Sequence, residues 1–220
     1  MHSLRLSRIL TYAAVICGAL AFVTLTPIAK NAYEDHREQQ EKLRYSTGLY
    51  PCNYDWIEFS EYIDSHLLGQ PDVSIDVFPT FDDPQAIRVV GRDIYYFRVG
   101  QKLLKQISDR SGKGHAYIPE RADVTRSAFL VESSEMLVNV LTREIINAGG
   151  EEPMGLDGTV YKFKTSETNR CGMAWSPGTE DRAYPIVGLY YSALNYTVDS
   201  KDHPITQQQL HRQIRDLLDQ

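Results

Sequence analysis

Apolar and polar positions change their rhythm three times along this chain. From Ile9 to Ala29 there are 21 residues without a charged side chain. At a rise of about 1.5 Å per residue, that run matches the roughly 30 Å of a bilayer core. Residues 30–46 are polar and free of Gly and Pro, with Glu38 and Lys42 at i,i+4 spacing, and predict a helical stalk ended by Gly48 and Pro51. Beyond that point, stripes of helical period alternate with segments of period two.

The first stripe, Trp56, Phe59, Ile63 and Leu67, predicts a helix with Asp55 and Glu58 as a capping box and Gly69 as its stop. Val73, Ile75 and Val77 alternate with Ser74 and Asp76, the pattern of a strand with one wet face. Segments 86–90 and 94–99 flank Gly91-Arg92 and predict a two-residue hairpin with glycine first. A short helix follows with Leu103, Leu104 and Ile107 inward, then a polar loop over 109–114. Ser127–Val131 reads as a strand, and Ser133 as the cap of a helix through Leu137, Val140, Leu141 and Ile145 that Gly149-Gly150 halts. A second hairpin is expected from 159–164 and 171–175, with Tyr161 and Phe163 on one face and Lys162 and Lys164 on the other. Pro185 opens a helix bearing Ile186, Leu189, Tyr190, Ala193 and Leu194. Thr206 and Gln209 form a capping box for a last helix that buries Leu210, Ile214, Leu217 and Leu218. Strands in pairs with helices between the pairs predict an α+β fold of antiparallel hairpins.

Charge sharpens the division. Residues 1–46 hold six Lys/Arg and four Asp/Glu, so the chain's net −6 leaves −8 on the remainder. An acidic body without a basic stripe argues against nucleic-acid binding. Arg5 and Arg8 precede the apolar run as in an export signal, which is either cleaved or retained. A cut after Ala29 or after Ala32 would place Pro27 or Lys30 where a small residue is needed, and Ile16 before Cys17 excludes lipid attachment. The expectation is therefore a short cytoplasmic tail (1–8), a transmembrane anchor (Ile9 to Ala29), a stalk (30–47) and an extracytoplasmic globular domain (48–220). Counting Lys/Arg alone opposes that orientation, with two before the run and four just after it, but the four are interleaved with Glu34, Asp35, Glu38 and Glu41.

Cysteine usage bears on the same point. Apart from Cys17, the chain has only Cys52 and Cys171, each beside a turn former, which suits one disulfide in an oxidising compartment. Two unpaired buried thiols are the alternative.

Catalytic and cofactor signatures are weak throughout. No Ser stands in a Gly-x-Ser-x-Gly elbow, and none of the six histidines lies in a sharp motif. His203 and His211 lack further ligands at metal spacing, Asp82-Asp83 and Glu151-Glu152 lack the stepped oxygens of a calcium loop, and Gly112-Lys113-Gly114-His115 lacks the offsets of a phosphate cradle. No cofactor or metal is expected. Tyrosine is the one excess, 14 residues including the doublets Tyr95-Tyr96 and Tyr190-Tyr191. Tyr presents a large, rigid, amphipathic face at low entropic cost, so these four with Trp175 are candidates for an interaction surface. The alternative puts one ring of each pair in the core and one at its edge.

Asp157-Gly158-Thr159-Val160-Tyr161-Lys162-Phe163, then Trp175-Ser176-Pro177 and a Leu/Ala/Tyr-rich helix, resembles a pattern of uncharacterised secreted or membrane-anchored bacterial proteins. It covers about 40 residues, supports a bacterial exported origin and implies no activity. Together these features predict a non-enzymatic protein of the bacterial inner membrane, its domain in the periplasm, binding another protein as an envelope-complex subunit or toxin-neutralising immunity protein. A periplasmic hydrolase using His115 or His203 as base is the rival.

Overall fold

The computed structural model describes residues 48–52, 57–108, 122–150, 157–199 and 201–220, and in it every segment of period two joins a single sheet. Its strands are β1 (Tyr50–Pro51), β2 (Val73–Pro79), β3 (Gln85–Val90), β4 (Asp93–Arg98), β5 (Asp123–Ala128), β6 (Thr159–Thr165) and β7 (Cys171–Trp175). They lie in the order β1-β7-β6-β2-β3-β4-β5, each antiparallel to its neighbours. Helices α1 (Ile57–Asp64), α2 (Gln101–Ser108), α3 (Val131–Ile146), α4 (Tyr184–Thr197) and α5 (Gln207–Leu218) complete an α+β fold within residues 45–220. The expected anchor Ile9–Ala29, the stalk, Asp55, Trp56, the 109–114 loop and His115 lie outside the described residues. Among the described residues, no helix is long and apolar enough to cross a membrane.

Local chemistry explains the elements that sequence predicts best. Gly91 adopts φ +57°, the conformation a two-residue hairpin asks of its first loop residue, and Val90 pairs Asp93 across it. Thr206 caps α5 by accepting from the Gln209 N–H, and the Gln209 side chain accepts from the Thr206 N–H. Pro185 sits in the first turn of α4, where its missing N–H has no partner to lose.

The sheet is covered on both faces. Val73, Ile75, Val77, Ile87, Val89, Ile94, Tyr161 and Phe163 face α3, α4 and α5. The opposite face carries Phe78, Ala86 and Phe97 against Phe59 and Ile63 of α1 and Leu103 and Ile107 of α2. The wet face expected for β2 and β6 is therefore corrected: Ser74, Asp76 and Lys162 are all buried. Arg88 of β3 is wholly enclosed beside them. Its Nη1 lies 2.7 Å from Asp76 Oδ1 and its Nε donates to Asp64 Oδ1 at 2.6 Å, while Ser60 donates to Asp76 Oδ2 at 2.6 Å. Ser60 and Asp64, one turn apart, thus fasten α1 to the sheet through polar contacts as well as through Phe59 and Ile63.

Two further expectations are corrected. The strand placed at 127–131 is β5, Asp123–Ala128, an edge strand with mostly exposed side chains whose ladder to β4 does the work that an apolar pattern does elsewhere. Helix α3 starts at Val131 with Leu130 in the cap position and no side-chain cap, so Ser133 lies inside the helix, and the helix stops at Asn147, ahead of Gly149-Gly150.

Candidate functional site

At the end of the sheet where β2 gives way to β3, three tyrosine rings meet edge to face. Tyr161 comes from β6, and Tyr190 and Tyr191 from α4. Their centroids are 5.7 Å (Tyr161–Tyr190), 6.2 Å (Tyr161–Tyr191) and 5.0 Å (Tyr190–Tyr191) apart, with interplanar angles of 63–67°. In this arrangement the positive ring edge meets the negative ring face. The phenols are tied as well: Tyr161 and Tyr191 hydroxyls are 2.6 Å apart, and the Tyr190 hydroxyl donates to Gln85 Oε1. Tyr190 is core, whereas Tyr191, about 100° further round the helix, stays 49% exposed.

Burial raises Tyr190 above the ordinary phenol range, helped by Tyr96, the neighbouring phenols and Asp82. Burial also raises Tyr161, with its hydrogen bond to Tyr191 adding to the shift. Tyr96 is raised by burial too, with Arg98 opposing and Asp82, Asp83 and Asp123 reinforcing. All three phenols are neutral donors and acceptors at physiological pH, set beside three carboxylates and one guanidinium. Arg98 reaches Asp83 at 3.0 Å and Asp82 at 3.5 Å.

Further exposed rings lie nearby in the chain. Phe81, in the β2–β3 loop, is 86% exposed and lines a shallow cleft with Pro79, Thr80, Asp82 and Thr159. Tyr184 is 45% exposed and lies two turns from Tyr191 on α4. Gly188 stands between them on the helix, and a Cβ there would meet nothing within 4 Å. A mid-helix glycine costs roughly 0.5–1 kcal/mol against alanine. Packing among the described residues does not require it.

Of the five aromatic residues singled out from sequence, Tyr96, Tyr190 and Tyr191 come together here. Tyr95 points to the opposite face, packed near Phe97 and covered by Arg126, whose guanidinium carbon is 5.6 Å from its ring centre. Trp175 is also on that face, opposite Val160. Its role explains the Asp-Gly-Thr and Trp-Ser-Pro segments. A Cβ on Gly158 would stand 2.7 Å from the Trp175 indole and 2.6 Å from Ser176 Oγ, so only glycine fits beneath the ring. Ser176, at φ +36°, accepts from the Thr159 N–H at 2.7 Å and returns a backbone bond to Thr159 at 2.9 Å. The two segments form a clasp closing the β6–β7 hairpin. Sequence reading placed Tyr161 with Phe163 on one strand face but left it out of the candidate aromatic surface, and passed over Phe81, Tyr184, Gly188 and Gln85, for which the seven-residue step from Tyr184 to Tyr191 was the available signal.

Cys52 and Cys171 are bonded, with Cα atoms 5.6 Å apart, tying the chain after β1 to the start of β7. His203 is exposed, and two histidines meet a serine: His66 Nδ1 lies 3.3 Å from Ser65 Oγ, its exposed chain neighbour, and His211 Nδ1 lies 2.8 Å from Ser133 Oγ, with Nε2 2.6 Å from Arg215 Nη2. The guanidinium can only donate, so Nε2 accepts and neutral His211 carries its proton on Nδ1. That tautomer donates to Ser133 and cannot take its proton, and Ser133 is fully buried. Among the described residues, no three His, Cys, Asp or Glu side chains stand close enough to hold a metal ion. No protein-family model matches the chain, and no curated protein or solved structure matches it either.

Proposed function

We propose that this chain is a membrane-tethered binding protein of the bacterial cell envelope, whose periplasmic domain engages a basic protein partner without catalysing a reaction on it. The observation that carries this reading is the half-exposed ring of Tyr191, hydrogen-bonded to Tyr161 and packed on Tyr190, with Tyr184 exposed two turns away on the same helix, Phe81 exposed on the β2–β3 loop, and the charges of Asp82, Asp83 and Asp123 acting on the nearby Tyr96. Aromatic anchors on a rigid base lose little entropy on binding, and an acidic rim steers a basic partner and raises its on-rate. A tether would raise the local concentration further for a partner at the same membrane. An envelope-complex subunit and an immunity protein against a basic toxin both fit this chemistry.

The test is co-purification of the full-length chain from crosslinked envelopes beside Phe81→Ala, Tyr191→Ala and Gly188→Ala variants. Phe81→Ala truncates an exposed ring and leaves the core intact; Tyr191→Ala also removes a ring packed on Tyr190 and the hydrogen bond to Tyr161, so its urea midpoint is measured alongside. Each is expected to weaken recovery of one basic partner by about tenfold or more, as central aromatic truncations do. Gly188→Ala should raise helix stability by about 0.5–1 kcal/mol yet reduce recovery by filling the space between Tyr184 and Tyr191. Recovery should fall further as salt rises. A protein set indifferent to all three substitutions and to salt would overturn the reading.

A further inference from the structure

The sheet opens with a strap, residues 48–52, laid along β7. Cys52 N–H donates to Cys171 O at 3.3 Å. Antiparallel pairs alternate between bonded and non-bonded positions, so Tyr50 and Met173 form the next bonded pair. Pro51 falls between them, opposite Gly172, where its missing N–H breaks no ladder bond. Leu49 O accepts from Gly149 N–H at 3.1 Å, and buried Leu49 lies over Gly172 and against Ile145. We infer that the Cys52–Cys171 bridge is a redox latch on this strap: a dithiol reductant opens it by exchange, and the strap leaves β7 while the remaining ladders stay closed.

Three observations support the latch. First, the bridge is within reach. Both cysteines are half-buried, and both line a surface cleft of about 450 Å³ with Ile145, Ala148, Asn169 and Arg170. Exchange needs a thiolate to meet a sulfur atom, which a bridge sealed in a core does not allow. Second, the cleft is charged at one end. Arg170 is the one charged residue of its lining and precedes Cys171 in the chain. A neighbouring guanidinium favours a thiolate, which makes Cys171 the better leaving group and directs attack to Cys52 Sγ. Third, opening has a local consequence. On its other side β7 is paired to β6, and β6 to β2, so neither ladder contains the strap. Its release makes β7 the edge of the sheet, frees the main-chain groups of Cys171 and Met173 that face β1, and uncovers Gly172 and Ile145.

The chemistry is a two-electron exchange. The first thiolate of the reductant bonds to Cys52 Sγ as the bridge breaks, and the electron pair leaves on Cys171. The second thiol of the reductant loses its proton, closes a disulfide within the reductant and expels Cys52 as a thiolate. The dithiol is oxidised, the bridge is reduced, and the two protons of the reductant end on the two cysteines.

The latch does not rest on the aromatic surface, so failure of one proposal leaves the other standing. Its test treats the full-length chain in detergent with dithiothreitol under native conditions, then alkylates the thiols and follows their mass. The rate should rise in proportion to dithiothreitol. A bridge reached only through global unfolding would instead level off at the unfolding rate. Arg170→Gln alters an exposed side chain and should slow reduction by about threefold, whereas Arg170→Lys keeps the charge and should keep the rate. Hydrogen exchange of the reduced chain should show lost protection at the Gly149 and Met173 amides with β2, β3 and β4 still protected. A levelling rate, or loss of protection across β2 to β4, would overturn the latch. Equal rates in Arg170→Gln and the parent would overturn the role of Arg170 and with it the direction of attack.

Discussion

Arg88 is fully buried with two carboxylates at bonding distance, and its guanidinium Nη2 finds no hydrogen-bond partner among the described residues. Burial by itself would lower its pKa, but the Asp76 and Asp64 charges outweigh that and raise it. The guanidinium therefore stays charged at every pH at which the protein folds. Such a pair is poor evidence of net stabilisation, because removing two ions from water costs about as much as their attraction returns. Breaking it is another matter. Arg88→Met strands the Asp76 carboxylate inside the fold and should cost about 3–5 kcal/mol. Replacing both ions, Arg88→Met with Asp76→Leu, should recover most of that loss. Urea unfolding of the two single variants and the double variant measures the coupling; additive losses would mean that the two groups do not act as a pair.

Between elements, the tyrosine triad joins β6 to α4 through groups that must stay protonated. An unfolded chain releases each phenolic proton near pH 10, whereas burial holds the protons on Tyr161 and Tyr190 to higher pH. Above about pH 10 the folded state thus binds more protons than the unfolded state, and stability falls as pH rises. Below the unfolded value the contribution is fully present. Urea midpoints should fall between about pH 9 and pH 11, and less steeply in Tyr161→Phe/Tyr190→Phe, which keeps both rings and removes both acids. Parallel slopes in parent and variant would place the alkaline loss elsewhere. Tyr190 also marks how far the elements could be read from sequence. The Gly91-Arg92 hairpin and the Thr206 and Gln209 cap follow from local chemistry, the Cys52–Cys171 bridge from the number and setting of the cysteines, and all are present. Ser74, Asp76 and Lys162 read as a wet face because alternation along one strand reports only one covering layer, and the helices that cover the other face, Ile57–Asp64 and Gln101–Ser108, are separate elements. Strand β5 escaped for the complementary reason: an edge strand held by its ladder needs no apolar period. The doublet at 190–191 predicts one ring in and one ring out, but not that Tyr161 would arrive from β6 to complete the cluster.

Over the whole molecule, the bridge from Cys52 to Cys171 closes a loop with a sequence separation of 119, which encloses all the strands from β2 to β6. Strand β1 has only two residues paired to β7, and Leu49 presses within 2.7 Å of where a Cβ on Gly172 would stand. So short an edge strand has little ladder of its own, and the covalent link keeps Leu49 over Gly172 and Ile145. Closing a loop of that length removes about 4–5 kcal/mol of freedom from the unfolded chain in the entropy model. Cys52→Ser and Cys171→Ser delete the same loop, so each should lower stability by nearly the same amount, and dithiothreitol should lower the parent to match. Under the proposed topology the bridge forms only after export. Alkylation of intact cells should then leave both thiols unmodified in the native protein, while the same chain held in the cytoplasm should label at both and resist proteolysis less. Unequal losses in the two serine variants would show that packing of the sulfur atoms, rather than loop closure, is what the bridge contributes. Full labelling of both cysteines in the exported protein would remove the bridge, and with it the reason for placing this domain in an oxidising space.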